Sequence, residues 1–300
     1  MYVVTGATGN TGHVVAKRLL AAGEKVRVIG RSAERLQPLV AAGAEPFVAD
    51  VTDATALAKA FAGAKAVYLM IPPNLASKDP RADQEKISNA LVKALQQSGV
   101  KYAVALSSVG ADKNDKTGPV VGLHQFEEKL NSIPGLNVLH LRAGYFMENT
   151  LGQAGAIRGF GMTASPLRAD LKLPMIASRD IGEAAAAALL KLDFTGHQTR
   201  ELLGQRDLSY GEVATIIGKA IKRPNLNYTQ LPDEQMKPVL MQLGMSTSVA
   251  DLILEMCGSL NSGHMRALEP RAPKNTTPTS YEDFVTKIFL PVYQGKTHAA

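Results

Sequence analysis

The chain has 300 residues, 45% of them hydrophobic and 20% charged, a balance that supports a real core and excludes a mostly disordered chain. One cysteine, Cys257, excludes an internal disulfide framework and a cysteine-built zinc site. No apolar run approaches the ~18–20 residues of a membrane span, and no basic stretch leads into an apolar one at the start, so a cytoplasmic, membrane-free protein is expected.

Short apolar runs alternate with amphipathic stretches through the first half. Tyr2–Thr5, Val26–Ile29, Pro46–Ala49, Ala66–Ile71, Tyr102–Leu106 and Val138–Leu141 predict buried strands. His13–Ala22, Ala33–Ala42, Ala54–Ala62, Asp83–Ser98 and Val120–Ser132 predict the helices between them. Gly23, Gly43, Gly63 and Gly99 each follow a helical stretch, where a left-handed cap is wanted, and Ser32 and Asp53 stand at N-cap positions. Strands separated by such helices predict an α/β fold, a doubly wound parallel sheet of the Rossmann type. After about Leu151 the rhythm changes. Gly152–Ser165 reads as loop or short irregular helices, and Ser178–Leu192 as a helix packing back on the sheet. Ser209–Lys222 reads as a helix with a capping box of Ser209 and Glu212. Asn225–Gln230 predicts a short strand, Glu234–Gly244 and Ser246–Ser259 predict helices, Pro270–Pro278 a linker and Tyr281–Phe289 a last helix, with Gln294–Ala300 frayed. The expected division is a nucleotide-binding domain over 1–152, with 176–204 packing back on it, and a smaller, mostly helical substrate lobe over 153–175 and 205–300.

The first strand runs into Gly6-Ala-Thr-Gly9-Asn-Thr-Gly12 and then a helix. In this context Gly6 permits the tight turn, Gly9 lets backbone approach a pyrophosphate, and Gly12 lets helix pack on strand. Thr8, Asn10 and Thr11 complete a turn whose free N–H groups meet the phosphates at the positive end of the helix. An NAD-preferring site usually carries an acid at the end of the second strand; here Gly30 is followed by Arg31, whose fork suits a 2′-phosphate, so NADP(H) is expected over NAD(H). The modest basic excess fits such a phosphate-rich cofactor better than nucleic acid, since Trp is absent and aromatics are only 5%. Asp50 and Val51 end the third strand, where Asp50 either accepts from an adenine amino group or caps the next helix. Ile71 and Pro72 follow the fourth strand and are expected along the cofactor.

On these residues the chain resembles the NmrA-like atypical short-chain dehydrogenase/reductases, nearest to the quinone and azo reductase branch. The resemblance is carried by VTGATGNTG, GRS, ALSSVGAD, HQFEEKLNSIPGLNVLHLRAGYFMEN, ASRDIGEAAAAAL, LSYGEVATIIGKAI and PTSYEDFVTKI, from the first residues to about Phe289. It implies NADPH-dependent hydride transfer to a quinone-like or other conjugated small molecule. Relatives of this kind usually carry Tyr-x-x-x-Lys on one helix, and none occurs in Ser107–Lys129. Aligning Glu128 with the helix glutamate of relatives puts His124 at the lysine position and Val120 at the tyrosine position. The missing donor argues against carbonyl reduction or sugar epimerisation, whereas a quinone asks for little beyond a bound cofactor.

His124 and Glu128 stand four apart on one helical face, so His124 either contacts the nicotinamide ribose or delivers a proton, oriented by Glu128, or the two are a surface pair. Ser107 and Ser108 end the fifth strand and either bond nicotinamide or substrate or simply turn the chain. Tyr145, Phe146 and Asn149 follow the sixth strand; the resemblance places them beside nicotinamide and acceptor, and Tyr145 is the best remaining hydroxyl for proton delivery. Met236, Met241, Met245, Met256 and Met265 either line an adaptable pocket or are core. Cys257 reads as a buried small hydrophobe. Two other functions remain open: a redox sensor that binds NADP(H) without turnover, and a reductase serving one biosynthetic pathway. A monomer or homodimer fits either.

Overall fold

The computed structural model describes residues 1–296. The chain opens as β1 (Tyr2–Val4), α1 (Asn10–Ala21), β2 (Val26–Gly30), α2 (Ala33–Ala41), β3 (Glu45–Val48), α3 (Ala54–Phe61), β4 (Ala66–Leu69), α4 (Pro80–Ser98), β5 (Tyr102–Ser108), α5 (Val120–Asn131) and β6 (Asn137–Ala143). It continues through β7 (Tyr145–Phe146), α6 (Gln153–Phe160), β8 (Thr163–Ser165), β9 (Leu173–Ile176), α7 (Ser178–Lys191), β10 (His197–Leu202) and β11 (Arg206–Leu208). Then come α8 (Tyr210–Ala220), β12 (Tyr228–Gln230), α9 (Asp233–Gln242), α10 (Thr247–Ser262) and α11 (Tyr281–Phe284).

Seven strands form one sheet in the order β10-β6-β5-β4-β1-β2-β3. Every pair in it is parallel. This is a Rossmann-like doubly wound sheet, and its order reverses between β1 and β4, where a crevice opens at the strands' carboxyl ends. Both faces are covered over the inner strands, which is why these read as apolar runs, while the edge strands β3 and β10 are largely exposed. Val4 and Val28 pack with Leu19 of α1, Leu36 of α2 and Leu189 of α7. Val3 and Val67 point the other way, onto Phe61 of α3, Leu91 of α4 and Phe126 of α5. A further core gathers Tyr210, Ile217, Leu260, Tyr281 and Phe289 in a mostly helical second lobe.

Local chemistry sets the helix ends. Asp53 accepts from the N–H groups of Thr55 and Ala56, and Ser32 from that of Arg35. The expected box at Ser209 and Glu212 is present. Two helices start earlier than the pattern suggests. α4 starts at Pro80, because Asp79 caps Ala82 and proline suits the first turn. α1 turns helical at Asn10, three residues before His13, which brings its amino end to the glycine turn.

Five strands escape the sequence pattern. The longest, β10, is a sheet edge reading His-Gln-Thr-Arg-Glu-Leu, with its first three residues exposed, so it has no apolar run to detect. It follows α7, which packs on α1, and it pairs with β6. β7, β9 and β11 make a small sheet beside the carboxyl edge of the main one. Gly152–Ser165, read as loop or short irregular helices, holds the short helix α6 and also a strand, β8. The last helix runs past Phe289 through a wide turn over Val285–Phe289 to Tyr293, where Pro291 has no N–H to give. Within the Gln294–Ala300 end, residues 297–300 lie outside the described residues. No helix among the described residues is long and apolar enough to cross a membrane.

Candidate active site

The glycine turn is held by sterics on both sides. Gly6 has φ +60°, and a Cβ there would lie 2.5 Å from the sulfur of Met70. A Cβ on Gly12 would lie 2.3 Å from the carbonyl oxygen of Gly6, so α1 can approach β1 only with glycine at that position. Gly9 N–H donates to Gly6 O, and His13 N–H returns to Gly9 O. Among the described residues the N–H groups of Asn10, Thr11 and Gly12 find no acceptor. Three free donors at the positive end of a helix are a ready anion cradle. The hydroxyl of Thr11 does not take part: it turns inward and accepts from Tyr68 Oη at 2.9 Å. Thr11 offers the cradle its backbone only.

From this turn a groove follows the carboxyl edge of the sheet. Its outer end is a cavity of about 350 Å³ lined by Gly6, Thr8, Arg31, Asp50, Val51 and Pro72, with Asp83 and Lys86 from α4 as the opposite wall. Arg31 is exposed and, among the described residues, makes no hydrogen bond or ion pair of its own. Asp50 accepts from the N–H and hydroxyl of Thr52. Those bonds, with Arg31 and Lys86 nearby, hold its carboxyl below the usual range. The cap of α3 is Asp53, so Asp50 braces the turn before it and keeps one oxygen free.

Inward the groove passes Pro72, Pro73 and Asn74 into a second cavity of about 370 Å³, mostly apolar, where Ile71, Ser107, Leu123, Val249, Ile253 and Met256 meet. A third, of about 420 Å³, shares Ser108, Phe146, Asn149 and Met256 with it and adds Tyr145, Leu173, Leu260 and Met265. Predicted residues at the carboxyl ends of six strands thus line one trough.

The two serine hydroxyls beside the inner cavities have their protons engaged, while the Tyr145–Tyr210 pair uses one of its two. Ser108 Oγ donates to Val109 O at 2.9 Å. Ser107 Oγ donates to Glu127 Oε1 at 2.5 Å. Tyr145 Oη lies 3.0 Å from Tyr210 Oη, and burial pushes both phenols above their usual range. Glu127 is buried and gripped by Arg142, whose Nε and Nη2 reach its two oxygens at 3.0 and 2.6 Å.

Two expectations on α5 need correction. Glu127, not Glu128, faces the sheet; Glu128 is exposed and does not orient His124. The His124 ring is held through Nδ1 by the carbonyl of Ala111 at 2.9 Å. His124 is absent from the linings of the groove, where α5 presents Val120 and Leu123, because one further residue rotates a side chain about 100° around a helix. The methionines divide: Met256 and Met265 line the inner cavities, Met236 and Met245 pack with Leu240 and Leu254 under α9 and α10, and Met241 is largely exposed. Cys257 is buried, and burial pushes its thiol up to about 12.

Lys86, Asp83 and Asn74 of the outer wall, and the Glu127–Arg142 pair, went unrecognised in the sequence. A signal for the pair existed: Arg142 ends a buried strand and needs a buried acid.

A Rossmann-like sheet with an anion cradle at its switch point and a trough into a second lobe defines the class. The chain belongs to the NmrA-like family, whose model matches residues 2–284. It is 29% identical over 280 residues to the NAD(P)H azoreductase of Xenophilus azovorans, covering 92% of this chain and 93% of that one. It is 30% identical over 244 residues to (4-alkanoyl-5-oxo-2,5-dihydrofuran-3-yl)methyl phosphate reductase of Streptomyces griseus, covering 80% of each. Among solved structures, the NADPH-dependent quinone oxidoreductase of Escherichia coli in complex with NADPH shares the fold, with a TM-score of 0.82 over 96% of this chain and 100% of that one at 23% identity.

Proposed function

We propose that this protein is an NADPH-dependent oxidoreductase that reduces a flat, conjugated small molecule of the quinone type. The observation that carries the reading is the single trough, with an anion cradle and two cations toward its outer end and two mainly apolar cavities at its inner end, the further one also edged by Lys172, Arg266 and Arg271. The relatives support it: their names specify an NAD(P)H azoreductase, a dihydrofuranone phosphate reductase and an NADPH-dependent quinone oxidoreductase.

The residues fit the cofactor. The free N–H groups of Asn10, Thr11 and Gly12 would hold the pyrophosphate, with Gly6, Thr8 and Gly9 as its backbone cradle. Arg31 and Lys86 would take the 2′-phosphate side, Asp50 and Val51 the adenosine, and Ile71 and Pro72 the ribose edge. Ser107, Ser108, Tyr145 and Phe146 would border the nicotinamide and the acceptor. When bound, the cofactor supplies the hydride.

The chain's own part is to bind, align and exclude water. Phe146, Met256 and Met265 offer apolar faces to a planar ring. The hydroxyls of Ser107 and Ser108 have given their protons to the protein, and α5 carries no Tyr-x-x-x-Lys. A site without a dedicated acid suits an acceptor whose reduced form takes its proton from water. It does not suit a simple ketone, whose alkoxide needs a donor in the transition state. His124, held at Ala111, has no part in this reading.

The test is a pair of titrations followed by turnover. Tighter binding of NADPH than NADH, and NADPH oxidation on adding a quinone, is the expected outcome. Binding without oxidation of quinones, azo dyes or enones would overturn the catalytic reading in favour of a sensor.

A further inference from the structure

We infer that Glu127 and Arg142 fix the polarity of the Ser107 hydroxyl, making it a pure hydrogen-bond acceptor that takes an N–H of the nicotinamide carboxamide. The inference rests on the proposed cofactor.

A serine hydroxyl has one proton and two lone pairs, and in most settings it rotates to suit its partner. Here it cannot. Ser107 Oγ donates to Glu127 Oε1 at 2.5 Å, in a place where the serine is 4% exposed. The carboxylate is buried as well, and Arg142 grips both of its oxygens through Nε and Nη2. A buried carboxylate in a two-pronged bond to an arginine is ionised and accepts only. The only proton of Ser107 is thereby committed inward, across from β5 to α5. What the hydroxyl can offer to the cavity it lines is a lone pair.

Among the polar groups that the proposed reaction brings to this end of the sheet, the carboxamide N–H and the nicotinamide ribose hydroxyls can donate, and a quinone cannot. An acceptor-only serine at the carboxyl edge turns away the carbonyls, and the carboxamide nitrogen is assigned to it, with the ribose hydroxyl as the alternative that the probe below separates. It also excludes Ser107 as a source of protons for the reduced substrate. Glu127 and Arg142 act through Ser107 and are positioning residues. Their arrangement explains a buried ion pair beneath a binding groove, where an apolar pair of equal volume would pack as well.

The probe is an NADP analogue in which a methyl ketone replaces the carboxamide. It keeps the ring and the carbonyl but has no N–H. Affinities of the oxidised cofactor and the analogue are measured by calorimetry, without turnover. Wild-type protein is expected to bind the analogue roughly tenfold more weakly, the scale of one hydrogen bond to a buried partner. Ser107→Ala should collapse that ratio to near one by weakening the natural cofactor alone. Ser107→Thr, which keeps the hydroxyl, should restore it. Glu127→Gln should also collapse it, because its amide oxygen turns to Arg142 and its N–H to Ser107, freeing the serine's proton toward the cavity. Equal wild-type affinity for the two compounds, or an unchanged ratio in Ser107→Ala, would overturn the inference while leaving the cofactor assignment standing. The wild-type comparison needs no variant to fold. Wild-type protein that binds neither compound would overturn the proposed function and this inference together.

Discussion

Removing the guanidinium of Arg31 should weaken NADPH and spare NADH. Among the described residues Arg31 has no protein partner, so its loss leaves no buried group stranded and the fold should be unaffected. A hydrogen bond to a charged group contributes about 1.5–3 kcal/mol. The side chain is exposed at the mouth of its cavity, where solvent screens it, and Lys86 on the opposite wall shares the phosphate. Both facts cut the expected loss to about 1–2 kcal/mol, or roughly 5–30-fold in Kd. The free oxygen of Asp50 would then face the phosphate with less compensation. Arg31→Lys should fall between, keeping charge and losing the fork. Adding Lys86→Ala should deepen the loss for NADPH, and raised salt should shrink it. Titration of both reduced cofactors by fluorescence gives the answer. An equal loss for NADH would refute the assignment of Arg31 to the 2′-phosphate.

Gly12→Ala should cost about 1–3 kcal/mol of stability, since its Cβ meets backbone 2.3 Å away and only a shift of α1 can relieve it; a denaturant midpoint equal to wild type would contradict this. Tyr145→Phe should change kcat by less than about tenfold and leave its pH profile unmoved, because the phenol is engaged with Tyr210 and burial makes it a weaker acid. Loss of one limb of the profile would restore Tyr145 as the proton donor. His140 is buried, and burial lowers its ring to about 4 from an ordinary 6.5. The unfolded chain therefore binds the extra proton first. Stability should be whole above about pH 6.5 and decline as pH falls toward 4, by about 3 kcal/mol in all. His140→Gln should flatten that slope in denaturant titrations between pH 7 and 5, and an equally steep decline would refute the cause.

Much of the fold is legible because its strands are buried on both faces. Val3 and Val4 serve opposite cores, and no polar residue interrupts them. Caps such as Asp53 and Ser209 act within three residues, a range that a linear pattern records. β10 is illegible for the converse reason: an exposed edge keeps its polar residues and is recruited by β6 rather than by its own pattern. The outer end of the groove shows a second limit. Arg31 advertises itself by following β2, but Lys86 reaches the same cavity only through folding of α4 against the sheet. The adjacent glutamates show a third. Glu127 and Glu128 are alike in composition, and only the face set by Phe126 and Leu130 turns one into the sheet and the other to solvent.

The central claim is that the inner cavities serve a hydride acceptor that needs no protein acid. Purified protein should be mixed with NADPH and offered a quinone, then a simple cyclic ketone of similar size, with binding of the cofactor confirmed in the same samples. The account predicts rapid oxidation of NADPH by the quinone and none by the ketone. Turnover of the ketone at a comparable rate would contradict it, for that requires a protein proton donor, a part this account gives to no side chain.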